Sequence, residues 1–248
     1  MDVLDPQTVL GAYAVGVFPM ADARDAASVY WVEPRRRAVM PLDAFRLSRS
    51  LRKRIAADRF RVTADRAFGE VLQLCAESAE DRPETWINGE IEQVFLMLHA
   101  MGFAHSVECW DGERLVGGLY GLALGRAFFG ESMVSRATDA SKVALAWLVA
   151  RLRAGGYTLL DCQFQTPHLS SLGAVEITRA DYMVLLGEAL EGVIGGASAV
   201  SGALSRRRSG DFFVLDGLAA GAAPGAPAGT VSGPVAGHDI VQLLAQTS

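Results

Sequence analysis

Glu131, Asp161 and Gln163 are the residues of this chain whose types and spacing suit acid–base chemistry. All three fall in the stretch Phe128–Gln163, which reads FFGESMVSRATDASKVALAWLVARLRAGGYTLLDCQ. Two carboxylates can attract or take a proton, and an amide can orient a nucleophile. Asp161 and Gln163 lie two apart in Tyr157–Phe164, which reads as a strand. Their side chains therefore share one face, and Leu160 and Cys162 share the other. An apolar strand rarely holds an aspartate unless it is paired or functional, although a carboxylate satisfying backbone donors at a strand end is the competing use. Glu131, in Gly130-Glu131-Ser132-Met133, closes an earlier apolar strand, where a bulge or turn would aim it at the same cleft. Between the two strands, Leu145, Leu148 and Leu152 recur on one helix face. That stripe is either core or, with Leu119 and Met133, the wall of an apolar pocket.

The elements that would hold these residues follow from periodicity and punctuation. Ala104–Trp110 and Arg114–Leu124 read as strands joined by the turn Asp111-Gly112. Gly117, Gly118 and Gly121 in the second of them suggest a bulge or close backbone approach. Ala127–Phe129 begins a third strand. A helix over Ser141–Ala154 follows, stopped by Gly155-Gly156, and then the strand with Asp161. Upstream, helices are expected over Pro6–Gly16, Phe68–Glu77 and Glu90–Met101, with short strands at Val29–Val32, Ala38–Leu42 and Val62-Thr63. Downstream, Leu172–Ile177 reads as a strand and Arg179–Leu190 as a helix. An antiparallel meander feeding a helix and a further strand is an α+β plan, the plan of the GNAT-like acyl-N-acyltransferases: a mixed sheet flanked by helices. We expect a small N-terminal α/β subdomain over residues 1–37, a catalytic domain over 38–192 and an Ala/Gly/Pro-rich tail over 193–248. The tail should be mostly flexible, with Phe212–Leu215 and Ile240–Leu244 as the parts able to dock back.

Composition narrows the function classes. The chain has 248 residues, is 50% hydrophobic and 21% charged, and carries a net charge of -5, so any nucleic-acid role must rest on a local patch. Residues Arg46–Arg61 supply one: Arg46, Arg49, Arg52, Lys53, Arg54, Arg59 and Arg61 against the single acid Asp58. Charge alone leaves open a solvated helix face or a phosphate-contacting one. The cysteines Cys75, Cys109 and Cys162 form no CxxC pair, which suits reduced thiols in a cytoplasmic protein rather than a disulfide framework or zinc site. The start MDVLDPQTVL lacks a basic segment followed by an apolar one, so no signal peptide is expected, and no apolar run reaches membrane-spanning length. HExxH, G-x-S-x-G, P-loop and dinucleotide fingerprints are absent, and the four histidines are not at ligand spacing.

GESMVS, DASKVAL, LLDCQ and HLSSLGAVEI, in that order, resemble the leucyl/phenylalanyl-tRNA–protein transferases. The likeness extends from about Leu10 to Tyr182 and takes in YAVGVFPM, the segment Tyr30–Arg35, Thr85-Trp86-Ile87, AHSVECW and GGLYG. The resemblance implies transfer of Leu or Phe, less so Met, from aminoacyl-tRNA to the α-amino group of a protein beginning with Arg or Lys. The product would be an N-degron for bacterial Clp proteolysis. No metal or other cofactor is implied, because the aminoacyl ester is already activated, and a monomer without membrane attachment is expected. By the same resemblance Asp161, acting through Gln163, handles the amine and its proton, and Glu131 attracts the acceptor's positive charge. Leu119, Met133, Leu145, Leu148, Leu152 and Leu160 would line the aminoacyl pocket. Trp86 would stack on the terminal adenosine, and Arg49, Arg52, Lys53 and Arg54 would contact the acceptor stem.

The chain departs from the family pattern in places. It begins late, so a smaller first subdomain is expected. Met20 stands where some members carry Trp, Val134 replaces a common Phe, and Leu148 and Leu152 are smaller than the aromatic residues used elsewhere, which suggests a wider pocket. Two other readings compete. A coenzyme A-dependent acyltransferase of the same fold needs a glycine-rich phosphate cradle before the helix, whereas Ser135–Ala140 has no glycine. A non-enzymatic RNA-binding module would leave Asp161, Gln163 and Glu131 without a use.

Overall fold

The computed structural model describes residues 4–77, 85–191, 209–219 and 235–246. Chain order begins with α1 (Pro6–Ala14), β1 (Phe18–Met20), β2 (Tyr30–Val32), β3 (Arg36–Val39), α2 (Arg49–Ala56), β4 (Arg61–Ala64), α3 (Phe68–Ala76) and α4 (Gly89–Ala100). The meander is β5 (Ala104–Asp111), β6 (Arg114–Leu124) and β7 (Ala127–Ser135), followed by α5 (Ala140–Ala154), β8 (Leu159–Gln163), α6 (Pro167–Ser171), β9 (Val175–Thr178) and α7 (Arg179–Leu190). Two late helices, α8 (Val214–Ala219) and α9 (Gly237–Ala245), complete the described residues.

Seven strands form one sheet in the order β4-β5-β6-β7-β8-β3-β9, and β1 pairs with β2 apart from it. Every pairing in the large sheet is antiparallel except β7 with β8. The parallel pair follows from the connection, since α5 carries the chain back before β8 begins. Helices cover both faces, so the architecture is α+β with a mostly antiparallel sheet. On one face Val107, Leu119, Phe128 and Leu160 pack with α2 and α5. On the other, Ala104, Tyr120, Leu122, Ala127, Phe129 and Leu159 pack with α1, α3, α4 and α7.

Local chemistry explains the boundaries. Asp5 caps α1 through Thr8 N, Ser48 caps α2 through Leu51 N, Asn88 caps α4 through Ile91 N and Thr178 caps α7 through Asp181 N. The β6 glycines serve close approach: a Cβ on Gly118 would lie 2.7 Å from the Val107 carbonyl oxygen, and one on Gly121 would lie 2.2 Å from that of Phe129. Next to Gly121 the register slips, with Gly121 opposite Gly130 but Tyr120 opposite Ser132. Glu131 is thus the extra residue of a β-bulge, and β7 runs past it to Ser135 rather than ending there.

Some elements differ from the sequence reading. Leu172–Ala174 is not strand; α6 turns the chain and β9 starts at Val175. β3 carries the chain through residues 37 and 38, and Val9, Leu10, Tyr13 and Phe18 share one apolar cluster with residues of α4 and α7. The expected tail is docked where it is described. Phe212, Leu215, Ile240 and Leu244 are buried in the cluster with α5. Arg151 donates to Asp216 Oδ1 and Oδ2 at 2.8 and 2.6 Å, and Gly237 N donates to Asp58 Oδ1 at 2.7 Å. The rest of the tail lies outside the described residues.

Candidate functional site

β7 and β8 pair only from Ala127 to Phe129 against Leu159 to Asp161. Beyond that point β7 continues beside β6 while β8 turns, so the sheet opens between two parallel strands. Glu131 and Gln163 stand at the opening, one on each strand, and Gln163 Nε2 donates to Glu131 Oε2 at 2.9 Å. Glu131, two residues on from Phe129, lies on the face that carries Asp161 and Gln163. The three residues singled out by type are therefore together in space.

Asp161 is fully buried and saturated with donors. Arg37 Nε reaches Oδ1 at 2.9 Å and Oδ2 at 3.0 Å, and Arg37 Nη2 reaches Oδ2 at 2.6 Å. Tyr182 Oη donates to Oδ2 at 2.8 Å, and the backbone N–H of Gln163 donates to Oδ1 at 2.7 Å. Gln163 adopts φ +61°, a left-handed conformation that costs a non-glycine residue roughly 1–2 kcal/mol. The Asp161 acceptor under its N–H offsets that strain. Asp161 acts on Gln163 through the backbone, and the Gln163 side chain points to Glu131.

Glu131 is also buried, and Tyr13 Oη donates to its Oε1 at 2.8 Å. Burial pushes its carboxyl up to about 7 against hydrogen bonds from Tyr13 and Gln163 that favour the anion. Burial, then the facing Glu131, raises the Tyr13 hydroxyl well above its ordinary value, so Tyr13 is a fixed donor. Burial and then Asp161 raise the Tyr182 hydroxyl likewise. Burial works against the Arg37 cation, but Asp161 outweighs it and the guanidinium is held more firmly protonated than usual.

Sequence reasoning missed Arg37, Tyr13 and Tyr182. Arg37 immediately precedes the expected strand Ala38–Leu42, and the two tyrosines fall inside the expected helices over Pro6–Gly16 and Arg179–Leu190. β3 offers a faint signal for Arg37, because Val39, two positions on and so on the same face of a strand, is a core residue.

The expected pocket residues lie on the opposite face. Leu119, Leu145, Leu148, Leu152 and Leu160 are all buried in the cluster around α5, with half-buried Met133 against it. The sheet separates this leucine face from the polar trio, except where β7 and β8 part. Trp86 is half-buried against the other cluster, and its carbonyl accepts from Ala21 N at 3.1 Å, which places it beside Met20. Arg49, Arg52 and Lys53 project from α2, exposed and without an ion pair among the described residues, while Arg54 is half-buried and engaged with Asp139 at 3.1 Å. Among the described residues no group of three His, Cys, Asp or Glu is placed to hold a metal ion, and no helix is long and apolar enough to cross a membrane.

Comparison with known proteins bears on this arrangement. Residues 39–187 match the family described as Leucyl/phenylalanyl-tRNA protein transferase, and residues 2–35 match its N-terminal domain. A Leucyl/phenylalanyl-tRNA--protein transferase of Rhizorhabdus wittichii is 60% identical over 253 aligned positions, covering 100% of both chains. One of Zymomonas mobilis is 55% identical over 217 positions, covering 88% of this chain and 77% of the relative. Among solved structures, FemX aligns with 69% of this chain and 66% of its own at a TM-score of 0.44 and 12% identity, a distant likeness.

Proposed function

This chain belongs to the leucyl/phenylalanyl-tRNA protein transferase family, and from that premise we propose that it moves Leu or Phe, and Met less readily, from aminoacyl-tRNA to the α-amino group of proteins beginning with Arg or Lys. It is an aminoacyltransferase that takes its donor from tRNA and gives it to protein. The marked protein would be an N-degron for Clp proteolysis in the bacterial cytoplasm. We assign the sheet to the GNAT-like plan, acting as a monomer and without a cofactor.

The observation that carries the reading is the hydrogen bond from Gln163 to Glu131 across the opening between β7 and β8. With its Nε2 committed to Glu131, the Gln163 amide presents Oε1 to an incoming amine. The amine lone pair forms a bond to the ester carbonyl carbon, the bond from that carbon to the ribose oxygen breaks, and the ribose oxygen leaves with a proton. The amine must shed one proton, and an amide is no base. Asp161 is surrounded by donors from Arg37, Tyr182 and Gln163, so its role is to position Gln163. Glu131, held near neutrality, is the group suited to attract the ammonium and accept its proton.

The donor side chain would sit on the leucine face, reached through the opening, against Leu119, Met133, Leu145, Leu148, Leu152 and Leu160. Such a wall rejects charged groups strongly and similar apolar ones weakly. Trp86 would stack on the terminal adenosine, and Arg49, Arg52, Lys53 and Arg54 would lie along the acceptor stem. Trp86 and α2 sit against opposite faces, so a tRNA engaging both must bring its 3′ end across the opening. Coenzyme A fits poorly, because α5 opens on Asp139, a carboxylate tied to Arg54 and Lys142, where a pyrophosphate would need bare amides.

The test mixes the protein with charged Leu-tRNA and a peptide beginning with Arg, beside a matched peptide beginning with Ala. Mass spectrometry should find leucine added to the first peptide alone. No addition from Leu, Phe or Met donors would sink the proposal.

A further inference from the structure

We infer that Arg37 is a positioning residue for the transfer: it locks Asp161 beneath the backbone of Gln163 and thereby holds the Gln163 amide across the opening to Glu131. The inference rests on the proposed use of Gln163 and Glu131 above.

Arg37 is 1% exposed, and every direction of its guanidinium is determined. Nε and Nη2 fork onto Asp161, and Nη1 donates to the Gly16 carbonyl at 3.1 Å. The rings of Phe18 and Tyr182 lie 4.6 and 4.7 Å from its Cζ. Few side chains could be fixed more completely, and the fixed object is an anion whose Oδ1 accepts from both Arg37 Nε and Gln163 N. From there the hydrogen-bonded path runs through Gln163 to Glu131 and ends at Tyr13. Stability is a weak explanation for such a pair, because a buried ion pair adds little over well-packed apolar groups. What the pair produces is geometric: a left-handed glutamine held on an acceptor at the end of a strand.

Arginine is needed for its shape as well as its charge, since only a planar fork contacts both Asp161 oxygens while a third nitrogen reaches Gly16. A lysine at this position would keep the cation and lose the fork. Charge and geometry can therefore be separated by measurement. The charged and titratable groups around Glu131 are Tyr13 from α1, Arg37 from β3 and Asp161 from β8, with Tyr182 of α7 one step further on Asp161.

The experiment measures kcat, and KM for charged tRNA and for an Arg peptide, across the pH range for wild type, Arg37→Lys, Arg37→Met, Asp161→Asn and Glu131→Gln. Circular dichroism and melting curves accompany each variant. Arg37→Lys should lower kcat by about 100-fold with the KM for tRNA unchanged, the size expected of a misplaced reacting group, and should keep the wild-type acid limb of the kcat profile. Arg37→Met should lower kcat similarly and move the acid limb to higher pH, because a cation beside Glu131 is gone. Asp161→Asn should move it to lower pH. Opposite shifts are not what general loosening of the fold produces. Wild-type kcat in folded Arg37→Lys would overturn the inference, as would acid limbs that move together. If Arg37→Met does not fold, Arg37→Lys still decides. Glu131→Gln keeps the two readings distinct: an unchanged acid limb there removes Glu131 as proton acceptor without rescuing or harming the Arg37 result on kcat.

Discussion

Arg37 and the basic face of α2 use the same chemical group in opposite ways. Arg37 is buried and fully coordinated, its fork held on Asp161 and its field confined to that carboxylate and the nearby Glu131. Arg49, Arg52 and Lys53 are exposed on a helix that packs through Leu51 and Ile55, and their charge faces solvent. A buried charge can place an atom but cannot attract a distant partner; an exposed one attracts but places nothing, because its side chain is free. The two regions should therefore fail differently. One should lose the chemical step and the fold, the other should lose affinity in a salt-dependent way.

The largest effect should come from breaking the buried pair on its acidic side. Asp161→Ala leaves Arg37 buried without a counter-charge, and should destabilise the protein by about 3–5 kcal/mol and abolish detectable transfer. Denaturant melts and the peptide assay check both, and a near-wild-type melt would show that solvent reaches Arg37. Glu131→Gln should do the unusual opposite, losing activity while gaining stability. The Glu131 carboxyl is held at about 7 against an ordinary 4.5, so between those pH values the folded state binds more protons than the unfolded chain and stability falls as pH rises. The penalty reaches about 3 kcal/mol above pH 7 and vanishes below 4.5. The variant should accordingly melt higher than wild type at pH 8 and at the same temperature near pH 4; equal melts at both would count against the buried carboxyl.

Replacing Arg49, Arg52 and Lys53 together by Ala should leave stability within about 0.5 kcal/mol. It should also raise the KM for charged tRNA and flatten its salt dependence, by up to about one unit of log–log slope for each phosphate no longer neutralised. Titration of KM against salt decides this, and an unchanged slope would return α2 to an ordinary solvated face. Arg54→Ala should have the smallest effect of the set. That guanidinium is already engaged with Asp139, so under about 1 kcal/mol of stability and little tRNA affinity are at stake. A loss of affinity matching the triple variant would place Arg54 with the free charges.

Much of the site was legible because its logic is local. Period-two alternation put Asp161 and Gln163 on one face, and Gly117, Gly118 and Gly121 suggested the bulge or close approach that the register slip beside Gly121 shows. Arg37 was not legible, because its meaning depends on β3 lying against β8, a pairing between residues more than a hundred positions apart. Tyr13 and Tyr182 carry an apolar ring that satisfies helical periodicity and a hydroxyl whose target only the fold reveals. The leucine stripe of α5 was legible as apolar, but its place behind the sheet was not. Phe212 and Ile240 were legible as apolar anchors within a segment of small residues, but the surfaces of α5 and α2 that receive them were not.

α9 has a further consequence for the basic helix. Its residues Ile240 and Leu244 belong to the same cluster as Leu51 and Ile55 of α2, and a Cβ on Gly237 would lie 1.9 Å from the Ile55 carbonyl oxygen. Those contacts join the first quarter of the chain to its last dozen residues. The buried side of the basic helix is therefore closed not by its sequence neighbours but by a segment far later in the chain. Removing Gly237–Ala245 would open Leu51 and Ile55 to water and loosen the helix that carries Arg49, Arg52 and Lys53.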